Sequence, residues 1–168
     1  MQRTKAPKHV IQTFDETENP LGSGDAILIT KAVTEVLQYE KVDIPCNINV
    51  QITGDKKIRE YNRNFRGMDK ATDVLSFPLQ EFTGVGWAFI DKSGFDVNSD
   101  IQQLGDIVIS AESAKKQAAE YENSYEYELA YLIIHSTLHL LGYIHDDEER
   151  EKIMHSKTKN IIREMELK

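Results

Sequence analysis

The stretch His135-Ser-Thr-Leu-His139-Leu-Leu-Gly142-Tyr-Ile-His145 constrains this chain more than any other. Three imidazoles can share one metal ion only if the backbone between them takes a particular path. Residues four apart on a helix lie on one face, so a helix through His135 and His139 aims both rings at the same point. Gly142 stands where that helix has to stop. A glycine just past the last turn takes the left-handed conformation that ends a helix, and the chain can then double back to bring His145 to a third corner. Three protein ligands with a fourth position open to water or substrate are the donor set of a catalytic zinc site, whereas structural sites are closed by four ligands, often cysteines. The ordinary reading of two helical histidines is a pair of core residues satisfied by hydrogen bonds. The third histidine favours the metal, as does the apolar surround of Leu129-Ala-Tyr-Leu-Ile-Ile and Leu138-His-Leu-Leu, which would bury neutral rings in need of a partner.

What the spacing lacks narrows the chemistry. Peptidases of the zincin type carry H-E-x-x-H with the glutamate as general base. Here Ser136 stands in that position, and serine is a poor base by itself. The pattern predicts a metal-dependent hydrolase of some bond other than a peptide.

Length and composition set the frame for that site. With 168 residues the chain reads as one domain, 1–168, long enough to bury a core. The single cysteine, Cys46, rules out an intrachain disulfide framework and a cysteine zinc site. No apolar run approaches a membrane span, and the N-terminal segment lacks a signal-peptide core, so the expected location is the cytoplasm, with no membrane partner. A net charge of −8 argues against a general nucleic-acid binder coated in basic charge, and DNA is not expected as a ligand. Any polyanion has to be met by a local patch.

Along the chain the pattern alternates strands and helices without repeats. His9 to Phe14 reads as a first strand, and Leu21 to Asp25 as the turn and cap before a helix running to about Glu40, with Ile29, Ala32, Val33, Val36 and Leu37 as its apolar stripe. Cys46 to Thr53 alternates apolar and polar residues, the pattern of a half-exposed or edge-like strand. Asp55 to about Arg66 reads as a helix, and Val74–Phe77 and Asp106–Ser110 as short buried strands. A helix from Ala111 to Tyr121 follows the second of these. The metal helix comes next, with Asn123-x-x-Glu126 as a candidate capping box. The last helix runs from Asp146 to about Glu166, its acidic start complementing the helix dipole, although Asp146 or Asp147 could instead orient a ligand histidine. Between the third and fourth strands, 81–103 reads as a peripheral surface insertion, a loop or hairpin carrying Trp87, with a lid as the alternative.

The second chemical feature is Lys56, Arg59, Arg63 and Arg66, which fall at spacings of three and four and make one basic helical stripe opposite Ile58, Tyr61 and Phe65. A solvated amphipathic face would look the same. The stripe, however, interrupts an otherwise acidic chain and runs into the compact turn Gly67–Asp73, suited to carrying Arg66 toward a cleft. A guanidinium there could grip a phosphate with two parallel hydrogen bonds.

Three blocks together carry a resemblance: Asn62-Arg-Asn-Phe-Arg66-Gly-Met-Asp-Lys-Ala-Thr-Asp-Val-Leu-Ser-Phe-Pro78, Leu104-Gly-Asp-Ile-Val-Ile-Ser110, and the histidine stretch. In content and order they resemble the signature blocks of the YbeY family of bacterial endoribonucleases and ribosomal RNA maturation factors. The resemblance implies a single α+β domain, with a small mixed four-stranded sheet packed by five or six helices, and one zinc ion per chain on His135, His139 and His145. It also implies a role in maturing the 3′ end of small-subunit (16S) ribosomal RNA and in ribosome quality control, with small-subunit proteins and the GTPase Era as partners. The residues it ties to catalysis are Arg66 and His135. Ser136, Ile144 and Ala71 depart from the family pattern, which has glycine, aspartate and commonly proline at these positions. An acid before the third histidine could tune a ligand, so its function is absent here or falls to Asp146.

The mechanism these residues suggest is phosphodiester hydrolysis on zinc, with Arg66 shielding the developing charge. Single-stranded RNA is the expected substrate, stacked on an exposed ring such as Phe77 or Trp87. Two other classes stay open from sequence: a metal-dependent hydrolase of peptides or small molecules, and a non-catalytic ribosome assembly factor whose zinc is structural.

Overall fold

The sheet is built from strands that lie far apart in the chain. The computed structural model describes residues 6–17 and 23–167. Its elements are β1 (Val10–Asp15), α1 (Ser23–Tyr39), β2 (Cys46–Thr53), α2 (Asp55–Arg66), β3 (Val74–Pro78), β4 (Gln102–Ser110), α3 (Ala111–Glu120), α4 (Tyr125–Leu140) and α5 (Glu148–Glu164), with two short 3-10 turns at Trp87–Phe89 and Lys92–Gly94. The strand order is β1-β2-β4-β3. β1, β2 and β4 are parallel, and β3 runs antiparallel to β4, pairing Leu75 with Val108 and Phe77 with Asp106. The result is the mixed four-stranded sheet and α+β domain expected. Leu21 and Gly22 of the turn expected before α1 lie outside the described residues.

One face of the sheet is covered by helices and the other is mostly open, and this explains the alternation in β2. Ile48, Val50 and Ile52 enter the main core with the α1 stripe Ile29, Ala32, Val33, Val36 and Leu37. On the other face Asn47 donates to Gln103 at 2.6 Å and Asn49 to Asp106 at 3.0 Å. β2 is therefore an interior strand, paired on both sides, and not the edge its sequence suggested. Period-two polarity reports an uncovered sheet face and says nothing of lateral position.

α4 is the central helix, packed against α1, α3, α5 and strands β3 and β4. Leu129, Ala130, Ile133, Ile134, Leu138 and Leu140 are fully buried, so burial of its apolar surface holds the metal-ligand segment rigid. Its N-cap is Ser124, whose hydroxyl accepts from the Tyr127 N–H at 3.1 Å. Asn123 instead donates its side-chain amide to Glu128 at 2.7 Å, so the helix is capped one residue later than expected and, with Tyr127 at the third helical position, without a capping box. Across the sheet, α2 covers part of the open face through a small cluster of Ile58, Leu75 and Val108. Among the described residues no helix is long and apolar enough to cross a membrane.

Most of 81–101 is exposed and a hairpin forms there, as expected, but the residues that anchor it are not peripheral. Trp87 is 8% exposed and lies in the main core, its indole N–H donating to Asp43 at 2.8 Å. Phe82 bridges to Ile90 as a small hairpin, and its ring lies against Gly142. The segment braces the turn that carries the third histidine. Its polar composition concealed this, because a few apolar residues, Phe82, Trp87, Ile90 and Phe95, make the contacts.

Candidate metal centre and cleft

His135 and His139 leave α4 one turn apart, with Nε2 atoms 3.1 Å from each other. The helix ends at Leu141, and Gly142 has φ +89°. A side chain is strained in that conformation, and a Cβ would also meet the Phe82 ring. Glycine thus lets the chain turn tightly under Phe82, and the Tyr143 N–H returns to the Leu138 carbonyl at 3.1 Å. His145 then closes the group, its ring centroid 5.4 Å from that of His135 and 4.8 Å from that of His139. The ligand atoms of the three rings lie within 4.8 Å of one another.

The protonation pattern suits a cation. A carbonyl can only accept, so the 2.7 Å contact between His139 Nδ1 and the Tyr143 oxygen places the proton on Nδ1 and leaves the Nε2 lone pair facing His135. Burial pushes the His139 ring below the ordinary histidine range. Burial, with His139 and His145 alongside, lowers His135 to about 4. Both rings are therefore neutral near pH 7, the form that ligates metal. Bonds of about 2.0–2.1 Å to zinc at tetrahedral angles put ligand nitrogens about 3.3 Å apart, close to the observed Nε2 separation. The donor set and its convergence fit a divalent ion.

The histidines floor a cleft of about 740 Å³. Its walls come from β3 (Val74, Leu75, Ser76), from α4 (Tyr131, Leu132) and from the returning turn (Tyr143, Ile144), and Arg66 stands at its rim. Gly67, with φ +68°, caps α2 by donating to the Arg63 carbonyl at 3.1 Å, so the helix stops and leaves Arg66 exposed at its end. Among the described residues Arg66 has no hydrogen-bond or ion-pair partner. The rest of the predicted basic stripe does not join it. Arg59 is held bidentately by Asp69 at 2.9 and 3.2 Å, and Arg63 lies 3.8 Å from the same carboxylate. Lys56 lines a different hollow with Glu16, Glu60 and Glu112.

Other expectations are revised by the packing. Phe77 faces the open side of the sheet with Tyr61 and Phe65, outside the histidine cleft, and Trp87 is buried. The tyrosine ring at the cleft is that of Tyr131, whereas Tyr143 is buried in the core with its hydroxyl bonded to Glu40 and Lys157. Asp147 caps α5 by accepting from the Arg150 N–H at 2.8 Å, and Asp146, although it lines the cleft, pairs with Arg150 at 2.9 Å. The partner that orients a ligand ring is the Tyr143 carbonyl. Ile144 is 44% exposed in the cleft wall where the family pattern has an acid. Asp73 is assigned no role by the sequence alone. It lines the cleft with its oxygens taken by the Val74 N–H at 2.8 Å and by Gln117 at 3.0 Å, and its charge opposes the lowering of His135.

Comparison with known proteins gives a consistent picture. The family model described as endoribonuclease YbeY matches residues 15–166. The endoribonuclease YbeY of Caldanaerobacter subterraneus subsp. tengcongensis is 41% identical over 146 residues, covering 87% of this chain and 90% of that protein. That of Clostridioides difficile is 36% identical over 156 residues, covering 92% and 95%. The solution structure of TM1509 from Thermotoga maritima superposes with a TM-score of 0.58 at 28% identity, over 92% of this chain and 88% of that one.

Proposed function

The chain belongs to the YbeY endoribonuclease family, and on that premise we propose that it hydrolyses phosphodiester bonds of single-stranded RNA, with a zinc ion held by His135, His139 and His145. The observation that carries this reading is one cleft that holds three convergent ring nitrogens and, at its rim, an arginine whose side chain is unpaired among the described residues. A divalent ion on those nitrogens would supply Lewis acidity toward a phosphoryl oxygen or a water.

The protein's own groups do the rest. Arg66 grips the phosphate through its planar fork and offsets charge that builds on the phosphoryl oxygens. The Tyr143 carbonyl holds His139 in one tautomer. Leu132, Val74 and Leu75 give the cleft apolar walls, whose low polarity strengthens each of these electrostatic contacts. Ser136 is fully buried, so the position that bears a peptidase's glutamate presents nothing to a substrate, and peptide hydrolysis is disfavoured. Within this reading the RNA is the 3′ end of precursor small-subunit ribosomal RNA, and small-subunit proteins and the GTPase Era are the partners that bring it.

Incubation of single-stranded RNA and of precursor small subunits with the protein, with and without chelator, tests the proposal. Cleavage that stops on chelation, returns with zinc and is lost in His139→Ala is the expected result. A zinc-loaded preparation inert on every RNA supplied would leave a non-catalytic assembly role as the better reading.

A further inference from the structure

The face of α4 that carries the histidines continues toward its N-terminus as two tyrosines. Tyr127, Tyr131, His135 and His139 are spaced by four, so they form one stripe with about 6 Å of helix axis between successive members. Next to the histidine cleft, and sharing Asp73, Tyr131 and Leu132 with it, lies a second hollow of about 480 Å³ between the end of α3, the start of α4 and the middle of α5. The Tyr127 and Tyr131 rings stack at 6.5 Å and 24°. Lys159 from α5 sits 5.4 and 5.7 Å from the two ring centres and donates to the Tyr127 hydroxyl at 2.9 Å. Among the described residues it has no carboxylate partner. His155, exposed on the same helix, lies 2.8 Å from the Tyr131 hydroxyl.

We infer that this ledge is a nucleotide subsite, in which one or two bases of single-stranded RNA beside the scissile phosphate stack on the Tyr131–Tyr127 pair while Lys159 meets a backbone phosphate. The inference rests on the RNA-cleaving reading above. Three features carry it: continuity with the cleft, aromatic faces one and two helical turns from the metal ligands, and a cation left available in an otherwise acidic chain. Stacking of this kind tolerates any base, because every base has a flat face. The same contacts also tie α5 to α4, so a purely structural role is the reading to beat.

The test uses the full chain supplied with zinc and fluorescent 2′-O-methyl RNA octamers, confirmed intact on a gel after each titration, that carry an abasic site at each position in turn, with binding read by anisotropy. In the wild type, one or two adjacent abasic positions should weaken binding about tenfold. Tyr131→Leu should erase that position dependence. Tyr131→Phe should keep it, since the ring survives while the hydroxyl bond to His155 does not. Lys159→Gln should weaken every octamer and flatten the salt dependence, and it serves as an independent arm should Tyr131→Leu fold poorly. The subsite is overturned if the position dependence persists in Tyr131→Leu, if Phe behaves as Leu, or if Lys159→Gln binds as the wild type does. A wild type that binds the octamers without position dependence overturns the subsite alone, whereas one that binds none of them removes the RNA-cleaving reading with it.

Discussion

Arg66 and Gly142 contribute to the site in different ways, and single substitutions separate them. In the proposed reaction Arg66 acts on the phosphate, and among the described residues its side chain makes no bond to the three histidines. Arg66→Ala should therefore retain its zinc and its melting temperature yet cleave RNA at least about a hundredfold more slowly, the scale of removing one charge-stabilising donor. Arg66→Lys should recover only part of that rate, since an ammonium lacks the two-pronged geometry. Zinc content, melting and cleavage measured on the same preparations decide it, and activity lost in step with zinc would remove the phosphate-clamp role. Gly142 acts on the backbone. Its φ of +89° costs a side-chain-bearing residue about 1–2 kcal/mol, and Phe82 stands where the new Cβ would go. Gly142→Ala should thus be destabilised by at least that amount in denaturant titration and bind zinc more weakly, because His145 follows the turn. Adding Phe82→Ala should relieve the clash and leave the backbone cost.

The junction of α2 with α3 depends on one carboxylate. Asp55, in the first turn of α2, accepts from the Ser110 hydroxyl at 2.5 Å, the Ser113 hydroxyl at 2.6 Å and Lys116 at 2.7 Å. Burial pushes its pKa up, but these three donors outweigh it and hold the group below the ordinary carboxylate range. A carboxylate depressed in the folded state stabilises fully above its unfolded value, about 3.9, and loses that contribution as the pH falls through the lower folded value. Asp55→Asn should accordingly be less stable than the wild type at neutral pH, and the gap should close as the pH falls below about 4. Paired urea titrations across that range check it, and a gap that does not change with pH would assign the loss to packing. A comparable tie anchors the metal turn, where Glu40 at the end of α1 accepts from the Tyr143 hydroxyl and from Lys157 of α5, both at 2.8 Å.

Over the whole molecule, the site is a product of assembly, with α4 supplying two ligands, the 81–103 hairpin pinning the turn of the third, and the end of α2 placing Arg66. Trp87 belongs to the core that holds this together, so Trp87→Ala should cost about 3–5 kcal/mol and weaken zinc binding although no ligand is changed. Calorimetry with and without zinc tests this, and a metal affinity equal to the wild type's would show the hairpin to be a bystander to the site. Zinc held by the three histidines, as proposed, would favour the folded chain by mass action, by about 2.7 kcal/mol at a hundredfold excess over the dissociation constant. Chelation should therefore lower the melting temperature of the wild type and leave a His135→Ala, His139→Ala double variant unmoved. Sequence alone determined the helices, the three-histidine group and the glycine that turns the chain between the second and third ligands, since each depends on residues within a few positions of one another. It also pointed to Arg66, through a local stripe ending at a local turn. Only the tertiary structure decided that β2 lies inside the sheet, that Asp69 holds Arg59 and lies near Arg63 while Arg66 stands apart at the cleft rim, that Trp87 bonds Asp43 in the core, and that Tyr131 lines the cleft where Phe77 and Trp87 were expected. Those outcomes turn on which distant segments meet and which face of a strand or helix is covered, and burial of that kind leaves no periodic signal in the neighbouring residues.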